Sequence, residues 1–102
     1  MTASYKTRIE GSVLETAITS VGGFHMSYIL AEEVIDDELG CGRRAFSVFV
    51  AMCGDHGERG AVLVRDITDS YELAAEFFTL ISEGAVMPCS LPEVAEDFVA
   101  SV

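Results

Sequence analysis

The apolar residues change period once along this chain, near Thr68, and that change constrains the fold more than any other feature. Upstream of it they recur every second residue. Phe24, Met26, Tyr28 and Leu30 alternate with His25, Ser27, Ile29 and Ala31. Phe46, Val48, Val50 and Met52 alternate with Ser47, Phe49, Ala51 and Cys53. A repeat of two puts alternate side chains on opposite faces of a strand. Ala61 to Ile67 is apolar on both parities, as in a strand covered on both faces. Thr7 to Thr19 reads as a further strand of mixed parity. Ile9 and Val13 fall on one face, Leu14, Thr16 and Ile18 on the other, and a bulge near Val13 reconciles them. Val21-Gly22-Gly23 reads as a turn. The acidic stretch from Glu32 to Glu38, with Gly40 and Gly42, reads as a loop. Gly54 to Gly60 is a hairpin connection longer than the two-residue minimum.

Downstream of Thr68 the period is about 3.6. Asp69 is the expected N-cap of a first helix, with Glu72 completing a capping box. That helix runs to about Glu83, where Gly84 ends it. Its apolar face is wide, which implies contact on two sides. Ser90 is the expected N-cap of a second helix, with Pro92 in the first turn and Leu91, Val94, Ala95, Phe98 and Val99 as its apolar stripe. Strands first and helices last give an α+β domain over residues 1–102: a four-stranded antiparallel sheet with two C-terminal helices on one face.

Composition bounds the partners. The chain has 102 residues, half of them apolar, enough for one core without disulfides or a structural metal. Its formal net charge is −11, and beyond Arg65 there are eight acids and no Lys or Arg. Such a field repels phosphate backbones and anionic membranes, so neither a nucleic acid nor a membrane is the expected partner. No apolar leader follows the N-terminus and no apolar run reaches bilayer length, so the expected location is the cytoplasm. Three scattered cysteines, Cys41, Cys53 and Cys89, make no disulfide framework and suit a reducing compartment. Asn, Gln and Trp are absent, which removes amide oxyanion donors and a Cys-His-Asn constellation.

Three stretches carry a resemblance: Tyr28-Ile29-Leu30 in a strand, Asp66-Ile67-Thr68 leading into a helix, and Leu91-Pro92-Glu93-Val94-Ala95-Glu96-Asp97-Phe98 at the end. Together they resemble a family of small uncharacterised bacterial proteins, from about Phe24 to Val99. The resemblance implies the same order of elements and supplies no catalytic residue.

Motifs for chemistry are sparse. Cys53-Gly54-Asp55-His56 has the spacing of half a zinc site, but Cys41 and Cys89 are single residues and form no second ligand pair, so no metal and no cofactor is expected. Cys53 or Cys41 with His56 or His25 and Asp55 is chemically possible as a nucleophile–base–acid set, though no spacing selects it. His25 and Ser27 read as a surface pair on one strand face. Gly40-Cys41-Gly42-Arg43-Arg44-Ala45 matches a dinucleotide fingerprint in letters only, because it precedes a strand and opens no helix. Arg43 and Arg44 could contact an anion, or neutralise the acidic loop. Glu93, Glu96 and Asp97 read as a solvated helix face.

The expected function is therefore non-catalytic: a protein-interaction or regulatory module. The alternatives are an anion or small-ligand module using Arg43 and Arg44, and a cysteine-dependent enzyme centred on Cys53 and His56. If both helices cover the face of Phe46, Val48, Val50 and Met52, the opposite face carries Ile29, Ala31, Phe49 and Ala51, joined by one parity of the fourth strand. An open face that stays apolar is the expected interaction surface, with a protein partner or a twofold homodimer as its cover.

Overall fold

A computed structural model describes residues 2–4, 11–36, 39–40 and 42–102. The elements are β1 (Thr2–Ser4), β2 (Ser12–Val21), β3 (Phe24–Asp36), β4 (Gly42–Gly54), β5 (Arg59–Thr68), α1 (Tyr71–Glu83), a 3-10 turn (Pro88–Ser90) and α2 (Leu91–Ala100). The α+β architecture matches the expectation. The four long strands form one antiparallel sheet, and the three-residue β1 adds a fifth, in the order β1-β5-β4-β3-β2.

β2 and β3 are joined by Gly22 and Gly23 alone, with φ of 57° and 84°. Two consecutive positive φ values make the primed turn whose twist matches a hairpin, and glycine adopts them without steric cost. The bulge expected near Val13 is present as a register shift between Val13 and Glu15. It places Val13 opposite Ala31 on the same face as Thr16 and Ile18, which stand opposite Ile29 and Ser27.

From Glu32 to Asp36 the acidic stretch is strand, not loop; its last two residues, 37 and 38, lie outside the described residues. β3 continues to Asp36 and pairs with a β4 that starts at Gly42, putting Val34 opposite Arg44 and Ile35 opposite Arg43. The arginines of β4 stand opposite apolar residues, and the acids find their partners diagonally or one strand further on: Arg44 lies 3.9 Å from Glu32 and Arg65 of β5 3.6 Å from Glu33, contacts that offset the low strand propensity of Glu and Asp. Gly40 has a φ of 75°, so the glycine pair belongs to a hairpin end.

A second irregularity lies near the end of β5, where Val64 pairs with Val48 but Thr68 pairs with Phe46. Asp66 sits inside it with a φ of 56°, a conformation Asp tolerates better than most residues, and its N–H donates to Ser47 Oγ at 3.3 Å. α1 is capped by Ser70 and not Asp69: Ser70 Oγ accepts from Leu73 N–H at 3.4 Å, and Ser70 N–H is held by Thr68 Oγ1 at 3.1 Å. Gly84 closes the helix, but the left-handed residue is Ala85, with a φ of 51°. Ser90 precedes α2 without a side-chain cap, because the 3-10 turn has already put it in helical conformation.

Both helices lie on one face. Met26, Tyr28, Leu30, Phe46, Val48, Val50, Val62 and Val64 meet Ala74, Phe77, Phe78, Ile81, Leu91 and Ala95 there in one buried cluster. Phe77 and Phe98 bring the helices together with ring centroids 5.0 Å apart. Tyr28 is fully buried and its hydroxyl donates to the Val86 carbonyl at 2.9 Å, tying the middle of the sheet to the segment between the helices. Burial holds that hydroxyl above its ordinary pKa. No helix among the described residues is long and apolar enough to cross a membrane.

Candidate functional site: the open side of the sheet

The face away from the helices is built in rows by strand register. Ile29, Phe49 and Leu63 form one row across β3, β4 and β5; Ser27, Ala51 and Ala61 form the next. The expected interaction surface of Ile29, Ala31, Phe49 and Ala51 lies here, but its accessibility differs from expectation. Ala31 is fully buried and Phe49 is 8% exposed within the single chain, while Ile29 and Ala51 are half-buried. The reason is position: Phe49 sits on the central strand with large neighbours on both sides, and Leu63 beside it is fully buried. The apolar continuation of β5 on both parities is thus explained by Val62 and Val64 under the helices and Leu63 on the other face.

Exposure rises toward β2. Val13 is 55% and Ile18 80% exposed. Among the described residues β2 has β3 on one side and no neighbour on the other, so one row of its N–H and C=O groups points outward. Ten residues long, it carries a single charge, Glu15, and no Pro or Lys. Edge strands in soluble proteins are normally blunted by short length, Pro or inward charges. The opposite edge is blunted by the three-residue β1; β2 has only its bulge. Period-two reading of the sequence found the strand but could not place it at the edge, because strand order is a property of the folded sheet.

The end of this face nearest the Gly54–Arg59 connection gathers the polar side chains. Ser20, His25, Cys53 and Arg59 stand directly opposite one another on four successive strands. Ser20 Oγ lies 2.9 Å from His25 Nδ1, and His25 Nε2 lies 3.0 Å from Asp55 Oδ1. An ionised carboxylate only accepts, so Nε2 carries the hydrogen and Nδ1 accepts from Ser20. This is a nucleophile–base–acid order, yet the His25 and Asp55 side chains are 49% and 60% exposed. Water competes for each of these bonds, and no enclosed site surrounds Ser20, so the chain of bonds fastens the β2–β3 turn to the β4–β5 connection. The main chain does the same, through Asp55 N–H to the Gly23 carbonyl at 2.9 Å.

The remaining sequence candidates separate. Cys53 is exposed and its cross-strand neighbour is His25, not His56. His56 is an exposed residue of the hairpin connection, with its main-chain N–H on Glu58 Oε2 at 3.3 Å. Cys41 lies outside the described residues, and among the described residues no three His, Cys, Asp or Glu groups converge as metal ligands. Arg43 and Arg44 are both paired. Arg43 holds Asp66 through two N–H donors, one at 2.9 Å, and this keeps the Asp66 carboxyl below its usual range. Arg44 lies 3.9 Å from Glu32 and over the Phe46 ring. Arg65 faces the buried Glu33 at 3.6 Å.

A model for a family of unknown function, DUF6514, matches residues 13–101. No curated protein and no solved structure matches the chain.

Proposed function

The chain belongs to the family of unknown function DUF6514, and from that premise we propose that it is a non-catalytic protein-interaction module that self-associates through β2. The observation that carries this reading is the open edge: ten residues with one charge, exposing Ile18 at its middle. An unpaired edge supplies the backbone half of a strand pairing, and its exposed side chains supply specificity.

A second copy fits that edge. A twofold axis normal to the sheet sets β2 antiparallel to itself and joins two sheets of five into one of ten. Like faces must meet, so the pairing centres on a residue such as Ala17 or Ile18. In those registers Glu15 stands opposite Thr19 or Val21 of the second copy, and the like charges do not meet. The surrounding charge of −11 on each copy opposes association at long range, and salt screens that repulsion. Self-association therefore strengthens as ionic strength rises, whereas a cationic foreign partner would be weakened.

Light scattering and sedimentation at tens of micromolar test the reading. The expected result is a wild-type dimer, tighter at high salt, and a folded Ile18→Lys monomer. A wild-type monomer across that concentration range refutes self-association. A dimer that survives Ile18→Lys places the interface away from β2. Phe49→Glu is unsuitable here, because a residue 8% exposed probes the core as much as any interface.

A further inference from the structure

At the hairpin end of the open face, Ser27, Cys53 and Arg59 each carry a polar hydrogen with no side-chain acceptor among the described residues. A shallow cavity of about 310 Å³ lies there, lined by His25, Ser27, Ala51, Met52, Cys53 and Arg59. That volume is at the lower limit of ordinary small-molecule sites. Arg43, Arg44 and Arg65 each face an acid within 4 Å. Arg59 differs: its side chain makes no hydrogen bond or ion pair among the described residues. The Ser27 hydroxyl and the Cys53 thiol beside it are likewise without a side-chain partner.

Each of the two nearby acids has one oxygen bonded elsewhere. Asp55 holds His25 at 3.0 Å, and Glu58 Oε2 accepts the main-chain N–H of His56 at 3.3 Å. An unpaired guanidinium on a chain with 17 acids is therefore not explained by a shortage of carboxylates. Geometry explains it: register places Arg59 opposite Cys53, in a row whose only acid contact, through His25, is already made. The floor between these donors is apolar, from Ala51.

We infer that this cavity binds a small organic carboxylate, its oxyanion held by the Arg59 guanidinium with the Ser27 hydroxyl, and its short apolar body on Ala51. A guanidinium presents two parallel N–H donors that match a carboxylate, which a lysine ammonium does not. The floor selects for an apolar tail, so an inorganic anion of the same charge forgoes part of the contact. The net negative charge opposes entry, but charges more than about 8 Å away are largely screened at physiological salt and add little to that repulsion. The site uses none of the β2 edge, so it stands or falls separately from self-association.

The test is a two-dimensional ¹H–¹⁵N NMR titration of the full chain with sodium butyrate, against sodium chloride at equal ionic strength. Saturable shifts at the amides of His25, Ser27, Ala51, Cys53 and Arg59 are expected with butyrate and not with chloride. Arg59→Gln, an exposed substitution that leaves the spectrum folded, weakens binding by about tenfold or more. Arg59→Lys keeps the charge and loses the fork, and falls between. Acetate and inorganic phosphate are the comparison arms and bind more weakly than butyrate. The inference is overturned if butyrate shifts do not saturate, if chloride reproduces them, if Arg59→Gln binds as wild type, or if phosphate binds better than butyrate.

Discussion

Truncating Phe49 to alanine separates a core residue from an interface residue on the face opposite the helices. The ring is 8% exposed and lies in register between Ile29 and Leu63, the latter fully buried. Removing a buried phenylalanine costs about 3–5 kcal/mol, the sum of lost transfer energy and the cavity left behind. Against a total of roughly 5–15 kcal/mol, that is a large share of the stability. A domain of this size unfolds in urea with a slope of about 1–1.5 kcal/mol per molar, so the midpoint falls by about 2–5 M. The assay is urea unfolding followed by far-ultraviolet circular dichroism at one fixed protein concentration, because self-association would otherwise add to the apparent stability. Ile18→Ala at 80% exposure is the control and stays within about 0.5 kcal/mol. The reasoning fails if Phe49→Ala costs less than about 1 kcal/mol and turns a dimer into a monomer. That pair of results would make the ring's contacts intermolecular.

Three further substitutions test the local physics. Ala85→Gly removes a methyl group from a left-handed residue with a φ of 51°, and thermal unfolding should show a gain of about 0.5–1 kcal/mol. Tyr28→Phe leaves the Val86 carbonyl without its donor, for a loss of about 1 kcal/mol at neutral pH. Because burial raises the Tyr28 pKa, its neutral form contributes stability below the unfolded value of about 10 that is lost as pH rises through the folded pKa. The phenylalanine variant therefore loses less stability than wild type in alkaline titration. Asp66→Asn breaks the two-donor contact from Arg43 at a cost of about 1 kcal/mol, kept small by the 45% exposure of the arginine. The Asp66 pKa is lowered first by that hydrogen bond, so its contribution is present above the unfolded value of about 3.9 and lost as pH falls through the folded one. The variant should show a shallower fall in stability below pH 4 in acid unfolding followed by circular dichroism.

Much of the fold was legible because local signals and tertiary packing agree. The alternation from Phe24 to Leu30 and from Phe46 to Met52 reports burial directly, since one face carries the helices. The Val13 bulge could be inferred from parity alone, because a slip of one residue moves every side chain to the other face. Where the reading differed, a non-local partner decided. The stretch from Glu32 to Asp36 is strand because β4 pairs along its whole length and the acids Glu32 and Glu33 find Arg44 and Arg65, residues distant in sequence. Ser70 displaces Asp69 as N-cap because Thr68 Oγ1 already holds the Ser70 N–H. The candidate residues were harder to read, because their meaning depends on strand order. Ser20, His25, Cys53 and Arg59 are scattered along the sequence and become a row only when β2, β3, β4 and β5 are laid side by side.

Strand order also changes what the acidity means. Read along the sequence, a charge of −11 is a general aid to solubility. In the folded chain the described arginines divide by partner: three hold acids, and Arg59 faces a cavity. Eight of the 17 acids lie beyond Arg65 with no Lys or Arg among them, while β2 keeps one charge in ten residues. An open edge on a neutral protein would invite pairing with any extended chain. In the proposed self-association, repulsion disfavours acidic partners, and pairing along β2 brings together strands that carry one acid each. The charge excess and the bare edge then work together: one limits which chains can approach, and the other supplies the backbone groups they would pair with.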